Sequence, residues 1–161
     1  WTDDGIWEER QVGQERRSRG TPVTEKSIEK SIAPLRSFVT EPLRFGRMFL
    51  AGDAGHIVPP TGAKGLNLAA TDVKYLFNGI REFDAENSEA GIDRYSELAL
   101  KRIWRAERFS WWFTQLMHRF PDDGAIVAKF QEAEIEYLLN SESGSRTIAE
   151  NYVGLPLDFG Q

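Results

Sequence analysis

The segment at residues 46–69 limits the possible folds of this chain more than any other part of the sequence. It consists of a short apolar run at residues 47–51, then Gly52-Asp53, a loop rich in Pro and Gly, and the start of an amphipathic helix. In α/β proteins, ligands bind at the carboxyl ends of buried strands. The order of strand, loop and helix therefore predicts a ligand site that contains Asp53 and the first residues of the helix.

Asp53 is the first candidate residue of this site. An ionised carboxylate only accepts hydrogen bonds, so it suits paired hydroxyl groups such as those of a sugar or a ribityl chain. Gly-Asp after a strand is also common where Asp caps a turn or a helix. The residues alone leave both interpretations of Asp53 open.

The loop and the helix start supply the other half of the site. Pro60 stiffens the chain, and Gly62 and Gly65 allow the main chain to approach a planar ligand. The N–H groups of Gly65, Leu66 and Asn67 lack partners within the helix and lie at its positive end. A ring that becomes anionic on reduction would be stabilised there. The alternative is a glycine-rich loop that only turns a corner.

Hydrophobic periodicity predicts an α+β chain that is mostly α-helical after residue 62. The strand candidates are residues 31–40, with Pro34 at an edge or a bulge, and residues 47–51, which are apolar enough to be buried on both faces. The helix candidates are residues 2–15, 63–83, 92–120, 126–138 and 141–151. Residues 121–124 would cap the fourth of these helices, and an extended tail would begin at Tyr152.

The helix predicted at residues 92–120 has apolar residues on more than one side. Trp111 and Phe113 lie off its main apolar stripe, which includes Leu100, Trp104, Phe109, Trp112, Leu116 and Phe120. A helix that is covered only by its own domain rarely needs a second apolar side. We therefore expect a second contact surface on this helix.

Composition and charge exclude several classes of function. The chain has 161 residues, no cysteine and a net charge of -5. Thiolate metal sites and disulfides are excluded, and the two histidines, His56 and His118, lack a partner at metal-ligand spacing. Nothing favours nucleic acid or an anionic membrane, and no apolar run approaches the ~20 residues of a membrane span. With no signal-peptide pattern, we expect a cytoplasmic protein, and we assign no function to the basic loop at residues 16–19.

Five motifs spread along the chain match one enzyme family. They occupy residues 30–38, 52–67, 102–112, 118–121 and 149–156. Through them the chain resembles the single-component flavoprotein aromatic hydroxylases, and among these the ones that act on 4-hydroxybenzoate. The Gly-Asp element is shared by the wider superfamily. The loop Pro-Pro-Thr-Gly-Ala-Lys-Gly-Leu-Asn and the tail Ala-Glu-Asn-Tyr-Val-Gly-Leu-Pro are much more specific.

The resemblance implies FAD as the cofactor, with NADPH as its reductant. Asp53 would bind the ribityl chain of FAD. The main chain of Gly65, Leu66 and Asn67 would hold the pyrimidine edge of the flavin, where reduction places negative charge. This expectation agrees with the helix-dipole argument made from the residues alone.

The resemblance also implies that Pro60 and Tyr152 bind the substrate. Pro60 would direct its main-chain carbonyl toward the phenol of the substrate or toward the flavin peroxide. Tyr152 would hydrogen-bond the substrate hydroxyl and favour its phenolate form, whereas the residues alone favour an ordinary core tyrosine. The implied reaction uses O₂ to hydroxylate 4-hydroxybenzoate to 3,4-dihydroxybenzoate, or to hydroxylate a similar phenolic acid.

The family begins with a βαβ unit containing G-x-G-x-x-G, which this sequence lacks. Together with the missing initiator Met, this predicts a C-terminal fragment that is inactive alone. Residues 1–45 would be the tail of a substrate-binding sheet domain, residues 46–84 an FAD-binding strand-loop-helix, and residues 85–161 a helical region for a homodimer interface. Two alternatives stay open: a sister hydroxylase of another phenolic acid, and a non-catalytic helical interaction module.

Overall fold

The structure is a computed structural model that describes residues 4–5, 36–154 and 156–157. The chain divides into two units, Trp1–Pro34 and Leu35–Gln161, and in the first unit the described residues Asp4 and Gly5 are helical. The described part of the second unit contains four short strands, one 3₁₀ helix and four α-helices. They are β1 (Phe38–Val39), β2 (Arg44–Phe45), β3 (Met48–Phe49), the 3₁₀ helix (Gly52–Ala54), β4 (His56–Ile57), α1 (Gly65–Glu86), α2 (Ala90–Met117), α3 (Ala125–Asn140) and α4 (Glu142–Val153).

Helices α1 and α2 pack against each other as a helical hairpin. Asn87 ends α1 in a left-handed conformation, with its N–H donated to the Phe83 carbonyl over 2.8 Å. The two helices approach closely where Gly79 faces Gly91, since a Cβ on Gly79 would lie 2.9 Å from the main-chain carbon of Gly91. The hairpin therefore depends on the absence of a side chain at this crossing.

The hydrophobic core lies between this hairpin and the strands. Tyr95, Ala99 and Ile103 follow the buried stripe of α2 at helical spacing, and each is fully buried. The Tyr95 hydroxyl donates to the Leu50 carbonyl over 2.6 Å, which ties α2 to the chain after β3. The cluster consists of Leu43, Val58, Leu68, Tyr75, Tyr95, Ala99 and Ile103.

The strands form two separate antiparallel pairs. Strand β1 pairs with β4, with Val39 opposite His56, and β2 pairs with β3, with Phe45 opposite Met48. The prediction of a strand at residues 47–51 that is buried on both faces was wrong. Strand β3 covers two residues, and Met48 is 55% exposed. Within the described residues β3 pairs along one edge, with β2, and exposure differs between its two faces: Met48 is exposed and Phe49 is half-buried.

The prediction of a mostly helical chain after residue 62 is confirmed, with helix ends displaced by a few residues. Helix α2 ends at Met117 rather than Phe120, because His118 is extended. The predicted cap of α3 at residues 121–124 is confirmed, because its N-cap is Gly124, although no side chain accepts a hydrogen bond from the helix start. The carboxylate of Asp123 instead accepts from the Phe120 N–H over 2.8 Å.

The prediction of an extended tail from Tyr152 was also wrong, because α4 continues through Tyr152 to Val153. Of the strand predicted at residues 31–40, the described part contains Phe38–Val39. Most of the helix predicted at residues 2–15, and the basic loop, lie outside the described residues. No helix in the described part is both long and apolar enough to cross a bilayer.

Candidate functional site

Asp53 lies in the 3₁₀ helix that follows β3, with its side chain exposed. Gly52 has a left-handed φ of 58°, and its carbonyl accepts from the Gly55 N–H over 2.8 Å, which closes the turn. Among the described residues, no hydrogen bond or ion pair engages the Asp53 carboxylate. Both of its oxygens can therefore accept hydrogen bonds from hydroxyl groups of a ligand.

A buried carboxylate on α1 holds this turn. The N–H of Gly52 donates to Oδ2 of Asp72 over 2.9 Å, and Nε2 of His56 lies 2.7 Å from the same oxygen. Asp72 and His56 are each 1% exposed. Because a carboxylate is acceptor-only when ionised, His56 is the donor in this pair. Asp72 thus contacts the chain on both sides of Asp53.

A second buried acid lies near this pair. Oε2 of Glu107 on α2 accepts from the Ser37 hydroxyl over 2.6 Å, whereas Oε1 of Glu107 and the hydroxyl of Ser110 have no partner in the described structure. Burial raises the pKa of Glu107, and the Ser37 hydrogen bond and the charge of His56 oppose this rise. An unpaired buried carboxylate oxygen destabilises the ionised form.

The loop before α1 lies against an aromatic ring of α2. Gly62 has a φ of 94°, and a Cβ there would come within 3.0 Å of Cε1 of Phe109. The Pro60 carbonyl accepts from the Ala63 N–H over 2.9 Å, and Pro60 itself is exposed. A carbonyl oxygen has two lone pairs, so one acceptor site of Pro60 remains for a ligand.

Lys64 fixes the end of this loop to α4. It is 7% exposed, and its ammonium donates to the main-chain carbonyl of Tyr152. The ammonium also lies 5.3 Å from the ring centre of Phe109 and 5.4 Å from that of Tyr152. Burial lowers the pKa of Lys64, and the charge of Arg102 lowers it further.

The main-chain amides at the start of α1 are unpaired. The first intrahelical bond runs from the Leu68 N–H to the Lys64 carbonyl, and no side chain caps the helix. The N–H groups of Gly65, Leu66 and Asn67 therefore have no partner among the described residues. Leu66 is 82% exposed, and a Cβ built on Gly65 would meet nothing within 4 Å. The helix start faces open space.

Tyr152 lies in the last turn of α4 and is 52% exposed. Its ring meets Phe109 and Phe113 edge to face, with both centroid distances at 6.4 Å. The described residues provide no hydrogen-bond partner for its hydroxyl. The ring of Tyr152 is thus held by packing, and its hydroxyl can contact a ligand.

The structure brings these predicted residues together in two groups. In the first group, Lys64 and Phe109 join Tyr152 to the loop that contains Pro60. In the second group, the turn of Asp53 lies beside α1, because a Cβ on Gly52 would come 3.3 Å from the Cβ of Ala69. Asn67 also lines a cavity of about 390 Å³ between α1, α2 and α4. Lys64, Arg102, Arg105 and Arg108 give this cavity four cations against one carboxylate, that of Glu150.

The sequence analysis missed Asp72, Glu107 and Lys64. Asp72 lies four residues after Leu68, on the buried stripe of α1, and Glu107 lies four residues after Ile103 on that of α2. A carboxylate at an apolar position of a helix is a signal visible in the sequence. It indicates a buried polar network, although not the partner of each acid.

Comparison with known proteins identifies related sequences. A family model described as FAD binding domain matches residues 1–110. The chain is 59% identical over 159 residues to the p-hydroxybenzoate hydroxylase of Acinetobacter baylyi, a match that covers 99% of this chain and 39% of that protein. It is 46% identical over 56 residues, 34% of this chain and 12% of the relative, to the rifampicin monooxygenase of Streptomyces venezuelae. The chain thus spans about two-fifths of the first of these relatives.

The groups at the site fit FAD, the cofactor named by the family model. The exposed carboxylate of Asp53 can accept from ribityl hydroxyls. The unpaired amides of Gly65, Leu66 and Asn67 can donate to the oxygen and nitrogen atoms of a flavin edge. The open space over Gly65 leaves room for the approach of a ring.

Proposed function

The chain belongs to the FAD binding domain family, and we propose on that basis that it is part of an FAD-dependent aromatic hydroxylase acting on 4-hydroxybenzoate. The product would be 3,4-dihydroxybenzoate, with NADPH as reductant and O₂ as oxidant. The 59% identity to p-hydroxybenzoate hydroxylase extends over 99% of this chain, which supports the proposal across all of its elements.

One observation carries the proposal furthest. An exposed carboxylate and a row of amides, none of them paired with another described residue, lie on neighbouring elements, because the turn at Gly52 packs against α1 at Ala69. Asp53 would accept hydrogen bonds from the ribityl hydroxyls. The amides of Gly65, Leu66 and Asn67 would stabilise negative charge on the flavin edge. When bound, FAD would supply the electron transfer and oxygen activation of the hydroxylation.

Pro60 and Tyr152 would bind the substrate from one side. The remaining lone pair of the Pro60 carbonyl would accept a hydrogen bond from the substrate. The Tyr152 hydroxyl would donate to the phenol oxygen and favour the phenolate, which makes the neighbouring ring carbon more nucleophilic. The nearby ammonium of Lys64 would stabilise the same negative charge.

The experiment uses the whole protein that contains this chain. We expect it to retain FAD and to oxidise NADPH with formation of 3,4-dihydroxybenzoate, measured by chromatography rather than by NADPH loss alone. Asp53→Ala should weaken FAD binding by about tenfold or more, because a ligand acceptor is lost. The exposed Asp84 in α1 offers a matched control, Asp84→Ala. Full FAD affinity in Asp53→Ala, or no hydroxylated product, would overturn the proposal.

A second candidate is a sister hydroxylase with another substrate. The local match to a rifampicin monooxygenase supports it, because enzymes named for very different substrates share similarity with part of this chain. A panel of phenolic acids separates the two, with product formation compared at equal NADPH oxidation. The highest kcat/KM for an acid other than 4-hydroxybenzoate would favour this second candidate.

The proposal includes a homodimer that forms through α2. Trp104 and Trp111 expose much of their surface on this helix, and large exposed aromatic side chains are common at protein interfaces. Sedimentation analysis of the whole protein tests this. Trp111→Ser should shift it toward the monomer, whereas a monomeric wild type would overturn the proposed homodimer.

A further inference from the structure

One oxygen atom holds both sides of the turn that presents Asp53. Oδ2 of Asp72 accepts from the Gly52 N–H at 2.9 Å and from Nε2 of His56 at 2.7 Å. Gly52 precedes Asp53, and His56 follows it by three residues. Asp72 lies on α1, sixteen residues after His56. A single side chain of the helix therefore fixes the turn relative to α1.

These contacts are strong because they are buried. Asp72 and His56 are almost fully excluded from solvent, and hydrogen bonds to a carboxylate are stronger than those between neutral groups. Water cannot replace either contact without opening the structure. The other acid near His56 is Glu107, which hydrogen-bonds to Ser37 and not to the turn.

The turn needs such a constraint. Gly52 has a left-handed φ of 58°, and glycine populates positive and negative φ about equally, so its own preference does not fix this conformation. Asp53 has no described contact that would hold its own side chain. The position of its carboxylate is therefore determined by the main chain of the turn, and this main chain is held by Asp72.

We propose that Asp72 is a positioning residue for flavin binding, which holds Asp53 at the ribityl hydroxyls by fixing Gly52 and His56 to α1. This inference rests on the proposed role of Asp53. Asp72 would contribute to flavin binding without contacting the flavin itself. Mutation of Asp72 should thus lower flavin affinity mainly when Asp53 is present.

The first test measures the anchor without any flavin. Amide hydrogen exchange is followed by NMR in the flavin-free whole protein that contains this chain and in its Asp72→Asn variant, with Glu107→Gln as a matched buried-acid control. The Gly52 amide should exchange about tenfold faster in Asp72→Asn, since the charge-assisted acceptor is lost. The core amide of Ile103 should keep its rate, which separates local opening from global unfolding. An unchanged Gly52 rate would overturn the proposal.

The second test measures FAD affinity of the whole protein in a double-mutant cycle of Asp53→Ala and Asp72→Asn. Asp72→Asn should weaken FAD binding by about tenfold when Asp53 is present and by less than about twofold in Asp53→Ala. Equal losses in both backgrounds would mean that Asp72 is merely structural. His56→Gln, which keeps an N–H donor, should retain more affinity than His56→Ala.

The two failures are distinguishable. If Asp53→Ala leaves FAD affinity unchanged, the proposed role of Asp53 fails, and the positioning role of Asp72 fails with it. If Asp53→Ala weakens FAD binding but Asp72→Asn does not, the proposed function stands and only the inference about Asp72 is overturned.

Discussion

The ammonium of Lys64 donates to the main-chain carbonyl of Tyr152, which lies 88 residues further along the chain. The contact joins the loop before α1 to the last turn of α4. The ring of Phe109 on α2 lies 5.3 Å from the same ammonium. One buried cation therefore connects three elements around the candidate site.

Lys64→Met should destabilise the chain by about 1–3 kcal/mol, because the Tyr152 carbonyl loses a charged donor. Methionine keeps the apolar part of the side chain, so the loss reports the ammonium. Urea unfolding followed by circular dichroism measures the effect. The exposed Lys74 on α1 provides the control Lys74→Met, and equal stability of the two variants would contradict this role of Lys64.

Glu107→Gln should change how stability depends on pH. Burial raises the pKa of Glu107 above its ordinary value of 4.5, so between 4.5 and the raised pKa the folded state binds more protons than the unfolded state. The free energy of unfolding contributed by Glu107 therefore falls as pH rises through this window. Glutamine cannot ionise, so the variant should become more stable relative to the wild type as pH rises through this window.

Urea unfolding of both proteins between pH 4 and pH 8 measures this difference. The stability gain of Glu107→Gln over the wild type should grow as pH rises from 4.5. Glu97→Gln, at an exposed position of the same helix, should show little gain at any pH. A gain for Glu107→Gln that stays constant over the whole range would disagree with the raised pKa.

Gly62→Ala should destabilise the chain by about 1–3 kcal/mol. Alanine at a φ of 94° is strained, and its Cβ would come within 3.0 Å of the Phe109 ring. Gly65→Ala is the matched substitution, because its Cβ would meet nothing within 4 Å and the residue begins a helix. The two midpoints of thermal unfolding should therefore separate, and coincident midpoints would speak against the packing of this loop on α2.

Tyr152→Phe should leave stability nearly unchanged, since the ring contacts with Phe109 and Phe113 do not involve the hydroxyl. In the whole protein the same variant should slow hydroxylation about tenfold or more and retain FAD, because a donor to the phenolate is lost. Single-turnover kinetics measure the rate of hydroxylation separately from the retention of FAD. Tyr137→Phe at an exposed position of α3 is the control, and unchanged product formation in Tyr152→Phe would remove the proposed role of its hydroxyl.

The helices were predictable because their apolar residues recur at local helical spacing. The buried face of α2 was predicted only in part. Phe109 and Leu116 of the predicted stripe are buried, whereas Trp104 is 52% exposed. The fully buried residues Tyr95, Ala99 and Ile103 lie outside that stripe. The unpaired amides at Gly65 follow from the start of a helix alone. These features depend on neighbours within a few residues along the chain.

The partners of the buried groups could not be predicted in the same way. Whether Asp72 meets His56, or Lys64 meets the Tyr152 carbonyl, depends on how distant elements pack. The exposure of Met48 depends on which elements pack on each face of the β2–β3 pair, and a run of apolar residues does not contain that information. Tyr152 was placed in a tail because glycine and proline follow it, yet α4 ends only after it.

The crossing of Gly79 and Gly91 has a consequence for related sequences. Any larger residue at Gly79 would push α2 away from α1, because its Cβ would lie 2.9 Å from the Gly91 main chain. A homologue with a bulky residue there must therefore hold its two long helices further apart. The size of the residues at positions 79 and 91 can thus indicate the distance between the two helices when new members of the family are compared by sequence.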